Sequence, residues 1–223
     1  KCVLKWGSLT FYPNMYIVLV GPSGSRKGTA MGPGADLLSD IGIKVAAESI
    51  TREALIRELK QSNDTQVDPS TGTMHLHSSL TIFSEELTVF LGYNNQALMA
   101  DLCNWYDCRK SWTYRTKNMG SDEILGVWVN LMGATTPELL QTTLPRDAIG
   151  GGLTSRIIFV YEPKKGKISP FPSFPAELRD SLLLDLEKIA MLSGEFTVSE
   201  DFIDEWINWY SALDRTGTPF EDY

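Results

Sequence analysis

The consecutive residues Gly21-Pro22-Ser23-Gly24-Ser25-Arg26-Lys27-Gly28-Thr29 combine glycines, hydroxyls and a lysine at a spacing suited to holding phosphate. Glycines let a backbone wrap closely around an anion, and a lysine brings a mobile positive charge to its oxygens. The N-terminus of a following helix adds unpaired N–H groups and a positive dipole end. The order follows G-x-x-x-x-G-K-[ST] with two departures. Arg26 stands in place of the second glycine, and Gly28 in place of the hydroxyl that ligates magnesium. Thr29, one residue later, can take over that role directly or through water. The plain alternative is a Gly/Ser-rich turn that binds nothing. The flanking elements weigh against it: Met15 to Val20 (MYIVLV) reads as a strand buried on both faces, and a helix is expected from Lys27 to about Ser39. ATP and Mg2+ are the ligands expected here.

Hydrolysis needs a cation held by polar groups and a group that orients water. Leu80 to Glu86 (LTIFSEE) supplies an apolar strand ending in carboxylates, the form of a Walker B motif. Ser84 holds the usual aspartate position and weakens the metal site. Glu85 holds that of the water-activating glutamate, with Glu86 in reserve. The bland reading is a solvated helix start stabilised by its dipole. A later strand, Val127 to Met132, runs into Gly133-Ala134-Thr135-Thr136-Pro137. Strand ends of this kind face the ligand crevice of open α/β sheets, so Asn130, Thr135 or Thr136 can sense a γ-phosphate. Thr136 can equally be the N-cap of a helix beginning at Pro137. Gly150-Gly151-Gly152-Leu153-Thr154-Ser155-Arg156 precedes a last strand. Arg156 there suits either an arginine finger or a surface ion pair.

The elements that must position these residues alternate. Strands are expected at 15–20, Ile43 to Ala47, Leu80 to Ser84, 127–132 and Arg156 to Tyr161. Helices are expected from Thr51 (N-cap, with Leu55, Ile56 and Leu59 on one face) and across Glu85 to Leu102. Gly32-Pro33-Gly34 leaves the first helix's bounds insecure. Ser62 to Thr73 reads as a loop. The fold class is α/β, a mostly parallel central sheet covered by helices. Residues 1–162 form its core, 163–175 a linker, and 176–223 a small helical lid that continues beyond the fragment. The lid's second helix, Glu200 to Leu213, carries an apolar stripe. His75 and His77 are read as one outward and one inward on a strand, and hence structural.

Of the net charge of −8, the stretch from Glu177 to Tyr223 supplies −9, with twelve Asp/Glu against three Lys/Arg. The remainder is close to neutral, which excludes a broad basic face for nucleic acid but leaves room for a local one. Asp107 to Asn118 holds Arg109, Lys110, Arg115 and Lys117 with Trp112 and Tyr114 interleaved. Two readings stand: a hairpin on which a single DNA strand stacks, or an amphipathic hairpin that packs Trp112 into the core. No apolar run is long enough to span a bilayer. Three cysteines without regular spacing argue for a reducing compartment and against zinc. The chain begins at Lys1 and reads as a piece of a longer protein.

GPSGSRKGTA, AAESITREALI, IFSEEL, NLMGATTPELL and GGGLTSRIIFVYE, in this order from about Met15 to Glu162, together resemble a family of P-loop ATPase domains. These occur in phage, plasmid and genomic-island proteins related to primase–helicases. The last two blocks are also similar to sensor and arginine-finger segments of AAA+ ATPases. The resemblance implies a P-loop NTPase fold and a DNA helicase or translocase motor in replication of a mobile element, in the cytoplasm of a bacterial host. It implies a homo-oligomeric ring with active sites between subunits, Lys27 and Thr29 on phosphate and magnesium, and Glu85 polarising water. Thr135 or Asn130 would sense, and Arg156 would act in trans. Ser84 and Gly28 depart from the AAA+ pattern and put efficient hydrolysis in doubt. The rivals are a nucleotide-dependent switch with weak turnover and, from the Lys-Gly-Thr order, a nucleotide kinase, which the scarcity of arginines disfavours.

Overall fold

The computed structural model describes residues 2–47, 49–67, 71–92, 94–116, 120–144, 152–163, 170–171, 175–213 and 216. They fall into two compact units: one spans Pro13–Ser193, the other joins Cys2–Tyr12 to Gly194–Tyr223.

The larger unit is a mixed α/β structure. Its strands are β3 (Tyr16–Val20), β4 (Asn63–Val67), β5 (Met74–Ser84), β8 (Val127–Thr135) and β9 (Ile157–Tyr161), in the sheet order β4-β5-β8-β3-β9. β5, β8, β3 and β9 are parallel, and β4 is an antiparallel edge. β3 and β8 are β-branched and apolar on both faces, as central parallel strands covered on both sides should be. One face buries Val18, Leu80, Ile82, Val129 and Leu131 beneath three helices, α2 (Arg52–Gln61), α3 (Leu87–Leu91) and α4 (Gln96–Tyr106). On the other face α1 (Lys27–Asp40) sets Met31 against Phe83 and Ala134. α5 (Pro137–Thr143) and α6 (Ala176–Ala190) complete the described helices of this unit.

Local chemistry explains most boundaries. Thr51 caps α2 by accepting from Ala54 N–H, and Leu55, Ile56 and Leu59 are buried along one face, as the sequence predicts. The helical stretch expected over Glu85 to Leu102 is two helices, because Gly92 ends α3 with φ 67° and Asn95 starts α4 by accepting from Leu98 N–H. The strand expected at Ile43 to Ala47 shrinks to a single bridge, Val45 to Thr81. The stretch from Ser62 to Thr73, expected as a loop, contains β4. Its side chains NDTQV carry no apolar alternation, because an edge strand with mostly exposed side chains needs none. His75 and His77, read as facing opposite ways, are two residues apart on β5 and so share a face. His77 Nδ1 lies 2.8 Å from Ser79 Oγ.

The smaller unit pairs β1 (Cys2–Trp6) antiparallel with β2 (Leu9–Phe11) and parallel with β10 (Gly194–Glu195). α7 (Glu200–Ser211), capped by Ser199, places Phe202 and Trp206 edge-on to Trp6 at 6.2 and 5.9 Å between ring centroids. The expected lid therefore divides: α6 belongs with the larger unit, and α7 with the N-terminal hairpin. The expected linker at 163–175 falls largely outside the described residues, as does the chain end.

Candidate nucleotide site

The loop from Gly21 to Arg26 joins the C-terminal end of β3 to the start of α1. Both neighbouring strands hold its base: Gly21 N–H donates to Thr135 O at 3.3 Å, and Glu162 N–H to Val20 O at 3.1 Å. A side chain at position 21 would crowd Glu162 O and Ser25 Oγ, each 3.0 Å from its Cβ, so glycine suits this close approach. The loop then turns through Ser25 N–H to Pro22 O, with Gly24 left-handed at φ 72°. Arg26 is also left-handed, φ 65° and ψ 29°, immediately before the helix. The usual pattern has its second glycine here. The structure shows why glycine suits the position, and that Arg26 adopts the same conformation against its own preference.

Lys27 is half-buried and folds back across the loop. Its Nζ donates to Gly21 O at 2.8 Å, Pro22 O at 3.1 Å and Ser25 Oγ at 3.4 Å. The ammonium thus bridges the backbone carbonyls at the start of the loop. Ser23 and Thr29 are exposed beside it.

β5 delivers the second group. Ser84 is buried and pairs with Gly133 of β8, and Glu85 and Glu86 follow it, exposed. Glu85 reaches the first turn of α1: a Cβ built on Gly28 would stand 2.6 Å from Oε2 and 3.0 Å from Cδ. Lys27, Gly28 and Glu85 are therefore brought together at one end of the sheet. Two elements 57 positions apart supply them, so no local pattern could reveal the contact.

The end of β8 closes the group. Thr135 is fully buried and in register with Val20, and its hydroxyl lies 3.4 Å from Thr136 O. Thr136 caps α5, accepting from Leu139 N–H, so its structural reading is the one seen. Asn130 is corrected as a sensor candidate. It stands next to Leu131, which pairs with Tyr16, and its Oδ1 accepts from Met15 N–H at 3.0 Å. That is level with the start of β3, five residues or about 16 Å along the strand from the loop. Its amide fixes the start of β3 instead.

Arg156 lies at that same far end, in a short 3-10 turn ahead of β9. Its guanidinium donates to Asp107 Oδ1 through Nε at 3.2 Å and through a terminal nitrogen at 3.0 Å, and to Gly152 O at 2.9 Å. The arginine expected to reach a neighbour is held by an ion pair within its own chain. Gly150 and Gly151 lie outside the described residues.

The hairpin expected from the basic and aromatic run is present, as β6 (Ser111–Thr116) paired with β7 (Gly120–Leu125). Its aromatics, however, pack inward. Trp112 meets the buried Trp105 edge-on at 5.5 Å and stacks on Tyr114 at 6.0 Å. Arg52 lies over the Tyr114 ring at 4.9 Å and donates to Asp101 Oδ2 at 2.6 Å. Burial pushes the Asp101 carboxyl up from its ordinary range, against the pull of Arg52. Ser111, Thr113 and Arg115 take the outward face, and Arg109 lies 3.9 Å from Asp107. Trp112 and Tyr114 are thus partly buried and packed against the core, because period-two alternation puts both on one face. Lys110 is exposed, and Lys117 lies outside the described residues.

Among the described residues, no helix is long and apolar enough to cross a membrane. No protein-family model matches the chain, and no curated protein sequence matches it.

Proposed function

We propose that this chain is a P-loop ATP-binding domain that hydrolyses its nucleotide with the help of magnesium. One observation carries the reading: the Lys27 ammonium, bonded across the loop, and the Glu85 carboxylate, against Gly28, meet at the N-terminus of α1 and the C-terminal ends of parallel strands. A helix start and a lysine suit the phosphates. Thr29, Ser84 and Glu85 supply oxygen donors of the kind magnesium takes, and the glycine cradle at 21 and 24 leaves room for a close backbone approach. Bound there, the cation would neutralise charge developing on the phosphates. The chain's own residues would do the rest. The loop N–H groups orient the phosphates, Lys27 exchanges its carbonyl partners for phosphate oxygens, and Thr135 stands buried where the loop is anchored. Glu85 is the carboxylate for both cation and water, with Glu86 exposed next to it.

The motor reading, a helicase or translocase that works on single-stranded DNA as a ring, extends this proposal. The outward hairpin face with Arg115, beside Arg109 and Lys110, is what remains to support it. The switch reading, in which ATP is bound but turned over slowly, is favoured by Ser84 in the aspartate position and by the ion pair that holds Arg156. ATP turnover with and without single-stranded DNA separates the two. A DNA-stimulated rate supports the motor, and a slow rate indifferent to DNA supports the switch. Absence of both binding and turnover would overturn the proposal itself.

A further inference from the structure

We infer that Gly28 and Glu85 work as one unit, in which the Glu85 carboxylate replaces the residue-28 hydroxyl as the ligand of the nucleotide's divalent cation. The inference rests on the ATP-binding reading above and specifies how that site is built.

Gly28 needs an explanation that its backbone does not provide. It lies in the first turn of α1 and is not among the glycines with positive φ, so any L-residue could adopt its conformation. Glycine is otherwise a poor choice inside a helix. The reason is crowding. A Cβ at this position would stand 2.6 Å from Glu85 Oε2, 3.0 Å from Cδ and 3.3 Å from Oε1. The conflict is with the end of a flexible, exposed side chain, so a hydroxyl side chain at 28 would oblige the Glu85 carboxylate to leave this place, whereas glycine lets it stay.

The exchange is chemically sound. Magnesium takes oxygen ligands and is commonly held by one or two carboxylates together with substrate phosphates, retaining several waters. A carboxylate offers it a full negative charge where a hydroxyl offers a dipole. The neighbouring strand end is short of charge, since Ser84 stands before Glu85. Ser84 is 4% exposed and brings a neutral hydroxyl, not a carboxylate, to this strand end. Glu85 thus supplies the charge that Ser84 lacks and fills the position that Gly28 vacates. The two departures from the expected motif are one compensated change.

The test is a swap. Binding of a fluorescent ATP analogue is measured in magnesium and in EDTA for the parent chain, Gly28→Ser, Glu85→Ala and the double variant. Thermal melting is followed on the same samples. In the parent, magnesium should tighten binding roughly tenfold or more. Glu85→Ala should keep the EDTA affinity and lose the magnesium enhancement. Gly28→Ser alone should displace the carboxylate and bind magnesium-ATP more weakly than the parent. The double variant should recover that binding, because the serine hydroxyl then has room and a cation to hold. Two outcomes overturn the pairing: Gly28→Ser that binds magnesium-ATP as the parent does, or a double variant whose losses are the sum of the single ones. A parent chain that binds no ATP under either condition sinks the underlying reading instead.

Discussion

Arg26 holds a left-handed backbone, φ 65° and ψ 29°, at the junction of loop and helix. For a non-glycine residue this costs about 1–2 kcal/mol, and such outliers persist where surrounding structure dictates them. Here Ala30 N–H donates to Arg26 O to open α1, and Lys27 binds back across the loop. Arg26→Gly should therefore stabilise the fold by about 1 kcal/mol, read as a higher midpoint in urea with an unchanged slope. A lower midpoint would mean that the Arg26 side chain outweighs its backbone strain. Residue types and spacing made Lys27 and the loop legible in the sequence. The roles of Asn130 and Thr135 were not, since both lie on one strand and only the register shows which end faces the loop. Arg156 was ambiguous for a similar reason, because its partner Asp107 is 49 positions away.

α1 runs through Gly32-Pro33-Gly34, the stretch that left its limits insecure in the sequence. Pro33 has no N–H to donate, but Met31 on one side and Ala35 on the other pack with Phe83, Ala134 and Met132, and this tertiary burial carries the helix past the break. The two glycines are not equivalent. Neither would bring a Cβ within 4 Å of another atom, and neither has positive φ. Gly32, however, precedes a proline, whose ring disfavours helical backbone for any residue with a Cβ. Gly34→Ala should stabilise by about 0.4–1 kcal/mol through lost unfolded-state freedom, whereas Gly32→Ala should gain less or lose stability. Equal gains in thermal denaturation would contradict this account of the break. Apolar runs announced β3, β8 and the end of β5, whose buried faces demand such runs, and also β9, although Ile158 to Tyr161 are exposed. β4 gave no such signal, being a polar edge that exists through its ladder to β5.

At the scale of the whole chain, the expectation of one helical lid over 176–223 does not show where its segments belong: α6 lies in the larger unit and α7 in the smaller. The two-residue strand β10 pairs with β1 nearly two hundred positions earlier, and that pairing, with Phe202 and Trp206 against Trp6, joins α7 to the N-terminal hairpin. Short parallel pairings of distant segments leave no trace in local periodicity. The proposed nucleotide site lies wholly within the larger unit, where the loop, the end of β5 and the end of β8 converge. The central claim of the proposal is that Lys27 holds phosphate. ATP titrated calorimetrically into the parent and into Lys27→Ala tests this most directly. A hydrogen bond to a charged group is worth about 1.5–3 kcal/mol. The variant should therefore bind ATP roughly tenfold to a hundredfold more weakly, with near-UV circular dichroism showing the parent's packing. Equal affinity in a folded Lys27→Ala chain would contradict the account.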